Sequence, residues 1–296
     1  MIDRIEVAEW MKTLQDEICA GLEKADGKAK FREDEWKRQG GGGGRTRVIE
    51  NGDVIEKGGV NFSAVHGKFD DKIRKTLNIN AENFFATGIS IVIHPENPFV
   101  PIIHMNTRYF EVDEKTNWFG GGIDLTPIYV NKKEADFFHD ELKKACDKFD
   151  KNYYPEFKKW ADEYFFIPHR NETRGVGGIF YDRLTSNSEK TIESISEFTK
   201  EVGKTFLKVY LPLVEKNKDK QFGENEKQFQ LLRRGRYVEF NLVYDKGTKF
   251  GLETQGRTES ILMSLPPLAK WVYDYHTEEG SLEEETMKHL AEKKII

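Results

Sequence analysis

The chain has 296 residues, and 46 Lys and Arg against 51 Asp and Glu leave a formal net charge of −5 at pH 7. A general nucleic-acid binder needs a basic surplus to neutralise phosphates, so the balance argues against that class. With 38% hydrophobic and 33% charged residues the chain is too apolar for disorder and too polar for a membrane bundle.

The opening residues Met1 to Glu6 carry early acids and no apolar h-region, and no apolar run approaches the ~20 residues that span a bilayer. Only Cys19 and Cys146 are available for disulfide or thiolate chemistry, far apart and in no CxxC arrangement. These features set a cytoplasmic location as the expectation. Ile5, Met11, Leu14, Ile18 and Leu22 recur at roughly helical spacing and predict an amphipathic helix ending near Gly21 and Gly27. Gly40 to Gly44 is an unbroken glycine run. It lacks the Gly-Lys-Ser/Thr of a phosphate loop, so a mobile or ligand-closing loop is the expectation. Asn51-Gly52 between Val48-Ile49 and Val54-Ile55 reads as a hairpin turn.

Ile89 to Val112 is strand-like, with Pro95, Pro98 and Pro101 confined to its connection. Side chains alternate across a strand, so His104, Asn106 and Arg108 share one face, and Ser90 and His94 share a face opposite three isoleucines. A proton carrier, an amide and a guanidinium in one row suit a carboxylate-bearing ligand. Asp124 follows Gly120-Gly121-Gly122, where glycine admits close approach of a bulky group, although a turn-capping Asp would look the same. Helices are expected over about 132–149, 154–164 and 189–214, the last with Ile192, Ile195, Phe198, Val202, Phe206 and Val209 on one face. A strand pair is expected over Arg236 to Tyr244 and Lys249 to Thr254, then a short helix at Ile261 to Ser264. Strands cluster as hairpins rather than alternating with helices. An α+β fold follows, with a large, mainly antiparallel β-sheet sandwiched between α-helices. His94, His104, His139 and His169 are enough in number for a divalent metal, but their spacing matches no compact ligand motif. Arg257 lies just past the second strand pair, and arginines near strand ends in an acidic protein suggest a focused anion site.

Together these segments resemble the oxygen-dependent coproporphyrinogen III oxidase family. The residues that carry the resemblance are Glu56 to Ser63, Ile93-His94-Pro95 with Asn97-Pro98, His104 to Val112, Trp118 to Pro127, His169 to Glu172 with Arg174-Gly175, and Tyr237 to Leu242 continuing to Pro266. The match runs from about Gly40 to Tyr275.

The resemblance implies oxidative decarboxylation of the ring A and B propionates of coproporphyrinogen III to vinyl groups, giving protoporphyrinogen IX in haem biosynthesis, with molecular oxygen as co-substrate. It implies one domain over residues 1–296, with a helical segment over 1–39, and a homodimer held through about 237–272. By the same resemblance His104 is the proton donor and Asp124 the acid that meets the pyrrole N–H groups. Ser90, Asn106, Thr107, Arg108, Gln255, Gly256 and Arg257 bind substrate. His94, His104, His139 and His169 match positions proposed as ligands of a divalent metal, manganese among the candidates, although a metal-free reaction without an organic cofactor is the commoner view of the family. Gln255 stands where a small residue is frequent and Lys246 where Arg is common, so these positions tune the pocket rather than define it. Two other readings use the same residues: a metal-dependent oxygenase or hydrolase built on the histidines, and a tetrapyrrole carrier that binds without chemistry.

Overall fold

In the computed structural model, which describes residues 2–69, 74, 81–113, 115–253 and 256–291, the apolar stripe of the opening segment becomes helix α1, Arg4–Asp26. The Asp3 carboxylate accepts from the Ile5 N–H at 2.7 Å and caps the first turn. Gly27 closes the helix at φ 80°, a conformation that costs a glycine little. Seven antiparallel strands follow in a single sheet of order β1-β2-β3-β4-β5-β6-β9. They are β1 Arg32–Lys37, β2 Gly42–Glu50, β3 Ile55–Lys68, β4 Asn83–Pro95, β5 Ile102–Glu111, β6 Asn117–Thr126 and β9 Gly177–Leu184. Between β6 and β9 lie helices α2, Lys132–Asp147, and α3, Tyr153–Tyr164, and the small ribbon of β7, Phe166–Ile167, and β8, Glu172–Thr173.

One face of the sheet is apolar. Ile89, Ile91 and Ile93 of β4, Ile103 and Met105 of β5 and Ile123 and Leu125 of β6 point into a core completed by α1, α2 and helix α4, Ile192–Asn217. The stripe Ile195, Phe198, Val202, Phe206 and Val209 is buried throughout, as its spacing predicts. Fully burying a side chain of this size contributes about 1.5–3 kcal/mol, which makes this layer the fold's main source of stability. The opposite face is covered by helix α5, Glu224–Val243, through Phe229, Leu232 and Tyr237 on Val92 and Ile102, and through Phe240 on Phe165 and Phe180. Helices α6, Lys246–Glu253, α7, Thr258–Leu262, and α8, Leu282–Ala291, complete the chain. The α+β sandwich expected from the sequence is the observed fold.

Three sequence expectations are corrected. The segment 1–39 is helical only through α1, and Arg32–Lys37 is instead the edge strand β1 of the sheet. Arg236 to Tyr244 and Lys249 to Thr254 do not form a strand pair: the first belongs to α5, and the second is α6 up to Glu253. Burial is continuous from Leu232 to Tyr237 and resumes at Phe240 and Asn241, so the helix is packed on more than one side and this packing overrides the β preference of Tyr237-Val238. Asp245, between the two segments, caps α6, its carboxylate accepting from the Thr248 N–H at 2.7 Å. The run Gly40 to Gly44 is likewise not a mobile loop. Gly42 to Gly44 are strand residues paired with Val65, Ala64 and Ser63 of β3, and only Gly40-Gly41 turn the chain. A Cβ at Gly43 would lie 2.2 Å from the Trp36 carbonyl oxygen, and one at Gly44 2.3 Å from the Trp36 ring. The missing side chains let β1 and its indole close on β2.

Candidate active site

Antiparallel register fixes which side chains share a row. Asp34, Thr46, Asn61, Ser90, Asn106, Gly122 and Phe180 succeed one another strand by strand from β1 to β9. Residues two positions along each strand lie on the same face. His104 opposite Asp124 therefore flanks this row on one side, and Arg108 between Gly88 and Gly120 flanks it on the other. Glycines 88, 120, 122 and 178 remove side chains from this face around Asn106 and Arg108, leaving a low floor with a few polar groups standing on it, whereas the space over Gly44 and Gly59 is taken by the Trp36 ring and Met263.

His104 Nδ1 lies 2.7 Å from Asp124 Oδ1. Arg108 Nη1 donates to Asn106 Oδ1 at 2.6 Å, which turns the Asn106 amide NH2 toward His104 Nε2, 3.5 Å away. An amide nitrogen only donates, so this arrangement assigns the Nδ1–H tautomer: the proton is given to Asp124 and the Nε2 lone pair is presented to the row. Asp124 is 2% exposed. Its second oxygen accepts from Arg174 Nη2 at 2.5 Å. Burial alone would push the Asp124 carboxyl up, but the Arg174 guanidinium and His104 outweigh it and hold the group below the usual carboxylate range.

Arg174 is itself buried. Its guanidinium carbon lies 4.3 Å from the centre of the Phe165 ring and 4.7 Å from those of Tyr237 and Phe240, and Nη1 donates to Asn241 Oδ1 at 3.0 Å. Three aromatic faces and a carboxylate replace the water that a buried cation loses. Asp245 lies beyond this cage, accepting from Tyr164 Oη at 2.8 Å, and burial is again outweighed by hydrogen bonds, so its carboxyl also stays low.

The other expected residues are distributed as follows. Ser90 stands in the polar row beside Asn106. Thr107 alternates to the other face, where its side chain is fully buried. Arg257 is the N-cap residue of α7 and pairs with Asp34 at the β1 end of the row, with Nη1 donating to Ser260 Oγ at 3.2 Å. Gly256 precedes it, its N–H bonded to the Gly251 carbonyl. Gln255 lies outside the described residues. Sequence reasoning missed Arg174, Asp34 and Asp182 as site residues. Arg174 entered only inside a motif, and no local spacing signals a partner 50 residues earlier.

The four histidines do not come together. Among the described residues, no group of three or more His, Cys, Asp or Glu side chains is set to hold a metal. His94 Nε2 meets the Ser264 carbonyl, which requires the proton on that nitrogen. His139 donates from Nε2 to the Val176 carbonyl and receives Tyr154 Oη at Nδ1. His169 lies between Glu239 and Tyr244. Each ring has a different set of partners, and these donors do not fit the divalent ion anticipated from the resemblance.

The chain matches the family described as Coproporphyrinogen III oxidase over residues 6–295. It is 50% identical to an oxygen-dependent coproporphyrinogen-III oxidase from Prochlorococcus marinus (strain MIT 9312), the alignment covering 92% of this chain and 86% of the relative. A protein of the same name from Prochlorococcus marinus (strain AS9601) is 49% identical over the same shares. The chain belongs to the coproporphyrinogen III oxidase family. No helix among the described residues is long and apolar enough to cross a membrane.

Proposed function

We infer how this site divides the labour of its reaction, the oxygen-dependent oxidative decarboxylation of coproporphyrinogen III to protoporphyrinogen IX. Each propionate, –CH2–CH2–COO⁻, becomes –CH=CH2 and carbon dioxide by giving up one proton and a pair of electrons, and oxygen receives the electrons. In our reading the tetrapyrrole lies on the glycine floor. Arg108, with Asn106, grips the carboxylate of the reacting propionate, and Arg257 holds a carboxylate at the other end of the row, because guanidinium and carboxylate match in charge and shape. Ser90 is placed to hydrogen-bond between them.

His104 moves the proton at Nε2. Asp124 acts through it, fixing the tautomer and stabilising the imidazolium whenever Nε2 is protonated. The alternative role, Asp124 as direct acceptor of pyrrole N–H groups, would use the lone pairs that His104 and Arg174 leave on a carboxylate with little exposure. No step is assigned to a metal, since the histidines are otherwise engaged. Gly256 belongs to the segment carrying Arg257, and Thr107 contributes through the strand rather than its side chain. The chain acts as a homodimer closed over part of 237–272.

The observation that carries this reading is the 2.7 Å contact of His104 with a buried, charge-compensated Asp124, opening onto Asn106 and Arg108. Replacing a positioned acid-base group typically lowers rate by about 10²–10⁴-fold. His104→Gln and Asp124→Ala are expected to lose about that much protoporphyrinogen formation while still binding coproporphyrinogen III. Near-normal turnover in either variant removes that residue from the mechanism.

A further inference from the structure

One arginine at the β1 end of the polar row and another flanking the row at β5 each already hold a carboxylate of the protein. Arg108 Nη2 lies 2.9 Å from Asp182 Oδ1, with side chains 37% and 33% exposed. Arg257 pairs with Asp34, with side chains 30% and 43% exposed. The first pair lies on the open part of the floor. A Cβ at Gly120 would come within 2.6 Å of Asp182 Oδ1 and 2.8 Å of Arg108 Nε, so the first pair rests directly on a strand stripped of side chains. Four strand intervals of about 4.8 Å separate β1, which carries Asp34, from β5, which carries Arg108, a span of roughly 19 Å across the sheet. That is the scale of a tetrapyrrole with its side chains extended.

Half-exposed ion pairs of this kind are weak, because water and salt compensate both partners. They are easily exchanged for another carboxylate. We propose that Asp34 and Asp182 stand in for substrate carboxylates: each neutralises an arginine of the free site, yields it to a propionate, and reclaims it once that carboxyl group has left as carbon dioxide. This rests on the functional reading above and extends it to order and release. Decarboxylation removes a negative charge from the ligand opposite Arg108, and the electrons leave with oxygen. Without Asp182 the guanidinium would then face an uncharged vinyl group. With Asp182 restored to it, the partly processed ring with one carboxylate fewer loses its hold at that end and is free to turn or depart. The two aspartates therefore make the site discriminate by number of carboxylates, favouring exchange of a processed ring for a fresh one.

Binding without oxygen, where turnover cannot finish, tests this. Affinities of coproporphyrinogen III, with four carboxylates, and protoporphyrinogen IX, with two, are measured for the full chain and for Asp182→Asn, Asp34→Asn and Arg108→Ala. Each Asp→Asn change is expected to tighten coproporphyrinogen III by about two- to fivefold, the range of an exposed ion pair, without tightening protoporphyrinogen IX. Unchanged or weaker binding of coproporphyrinogen III, or equal tightening of both ligands, overturns the exchange. The Arg108→Ala variant separates the two levels: if it leaves coproporphyrinogen III binding intact, the placement of the substrate is itself wrong. If it weakens binding while neither Asp→Asn change tightens it, only the stand-in role falls.

Discussion

At the scale of single residues, burial decides which histidines can take up a proton. Burial pushes His94 down to about 3 and His139 down to about 4, in each case against a hydrogen bond to a backbone carbonyl. Both stay neutral in the fold, whereas in the unfolded chain each takes up a proton as pH falls below its ordinary value of about 6.5. Unfolding therefore binds protons between pH 6.5 and the folded values, and stability must fall with pH across that window. The expected slope is about 1.4 kcal/mol per pH unit for each histidine once the unfolded form is charged. Urea unfolding at pH 7 and pH 5 measures it; His139→Gln should flatten the slope, and an unchanged slope in that variant would contradict the assignment. The pattern of His104, Asn106 and Arg108 was readable because alternation along one strand is a local property. The reach of Arg174 to Asp124 was not, since it depends on two distant segments meeting above the sheet.

At the scale of elements, the glycines of the floor separate into two kinds. A Cβ at Gly178 would lie 2.0 Å from the Ile123 carbonyl oxygen, a backbone atom that cannot retreat without parting β6 from β9. At Gly120 the nearest atoms are the ends of Asp182 and Arg108, which can swing aside. Gly178→Ala is therefore expected to cost at least the 1–3 kcal/mol typical of overpacking, roughly, in chemical denaturation. Gly120→Ala should cost far less stability but raise the KM for coproporphyrinogen III. Equal stability losses would refute the distinction. Sequence pattern found the hairpin at Asn51, where φ is 59°, and the long stripe of α4, because turn chemistry and helical spacing are strong local signals. It misread α5 because Tyr237, Val238 and Phe240 have the composition of a strand. The helix is set by how these residues pack on the sheet, with Tyr237 and Phe240 buried three positions apart, and burial is a tertiary fact. The glycine run misled for a similar reason, since absence of side chains marks close strand packing as readily as it marks a loop.

At the scale of the whole molecule, two surfaces remain to be accounted for: the floor of the site and an apolar patch beside α5. Leu242, Val243, Phe250, Leu252, Leu268, Trp271 and Val272 are all at least 39% exposed. Large apolar side chains exposed in such number mark an interaction surface where they adjoin. They fall within the segment proposed above for self-association, and Trp271 Nε1 is bonded to Glu239, which Arg170 and His169 keep ionised to about pH 2 despite its burial. Leu268→Asp is expected to shift the chain from dimer to monomer in sedimentation with little loss of monomer stability. An unchanged mass would place the interface elsewhere.

In the proposed reading an acidic chain, with its net charge of −5, meets a polyanionic substrate through a few arginines on one sheet face, which would make its overall charge a poor guide to what it binds. The central claim is that this face turns propionates into vinyl groups at the expense of oxygen. Carbon dioxide release from coproporphyrinogen III by the full chain, followed in air and then with oxygen removed, tests it most directly. Release in air that stops without oxygen, accompanied by protoporphyrinogen IX, is the predicted result. Equal release under both conditions, or none in either, would contradict it.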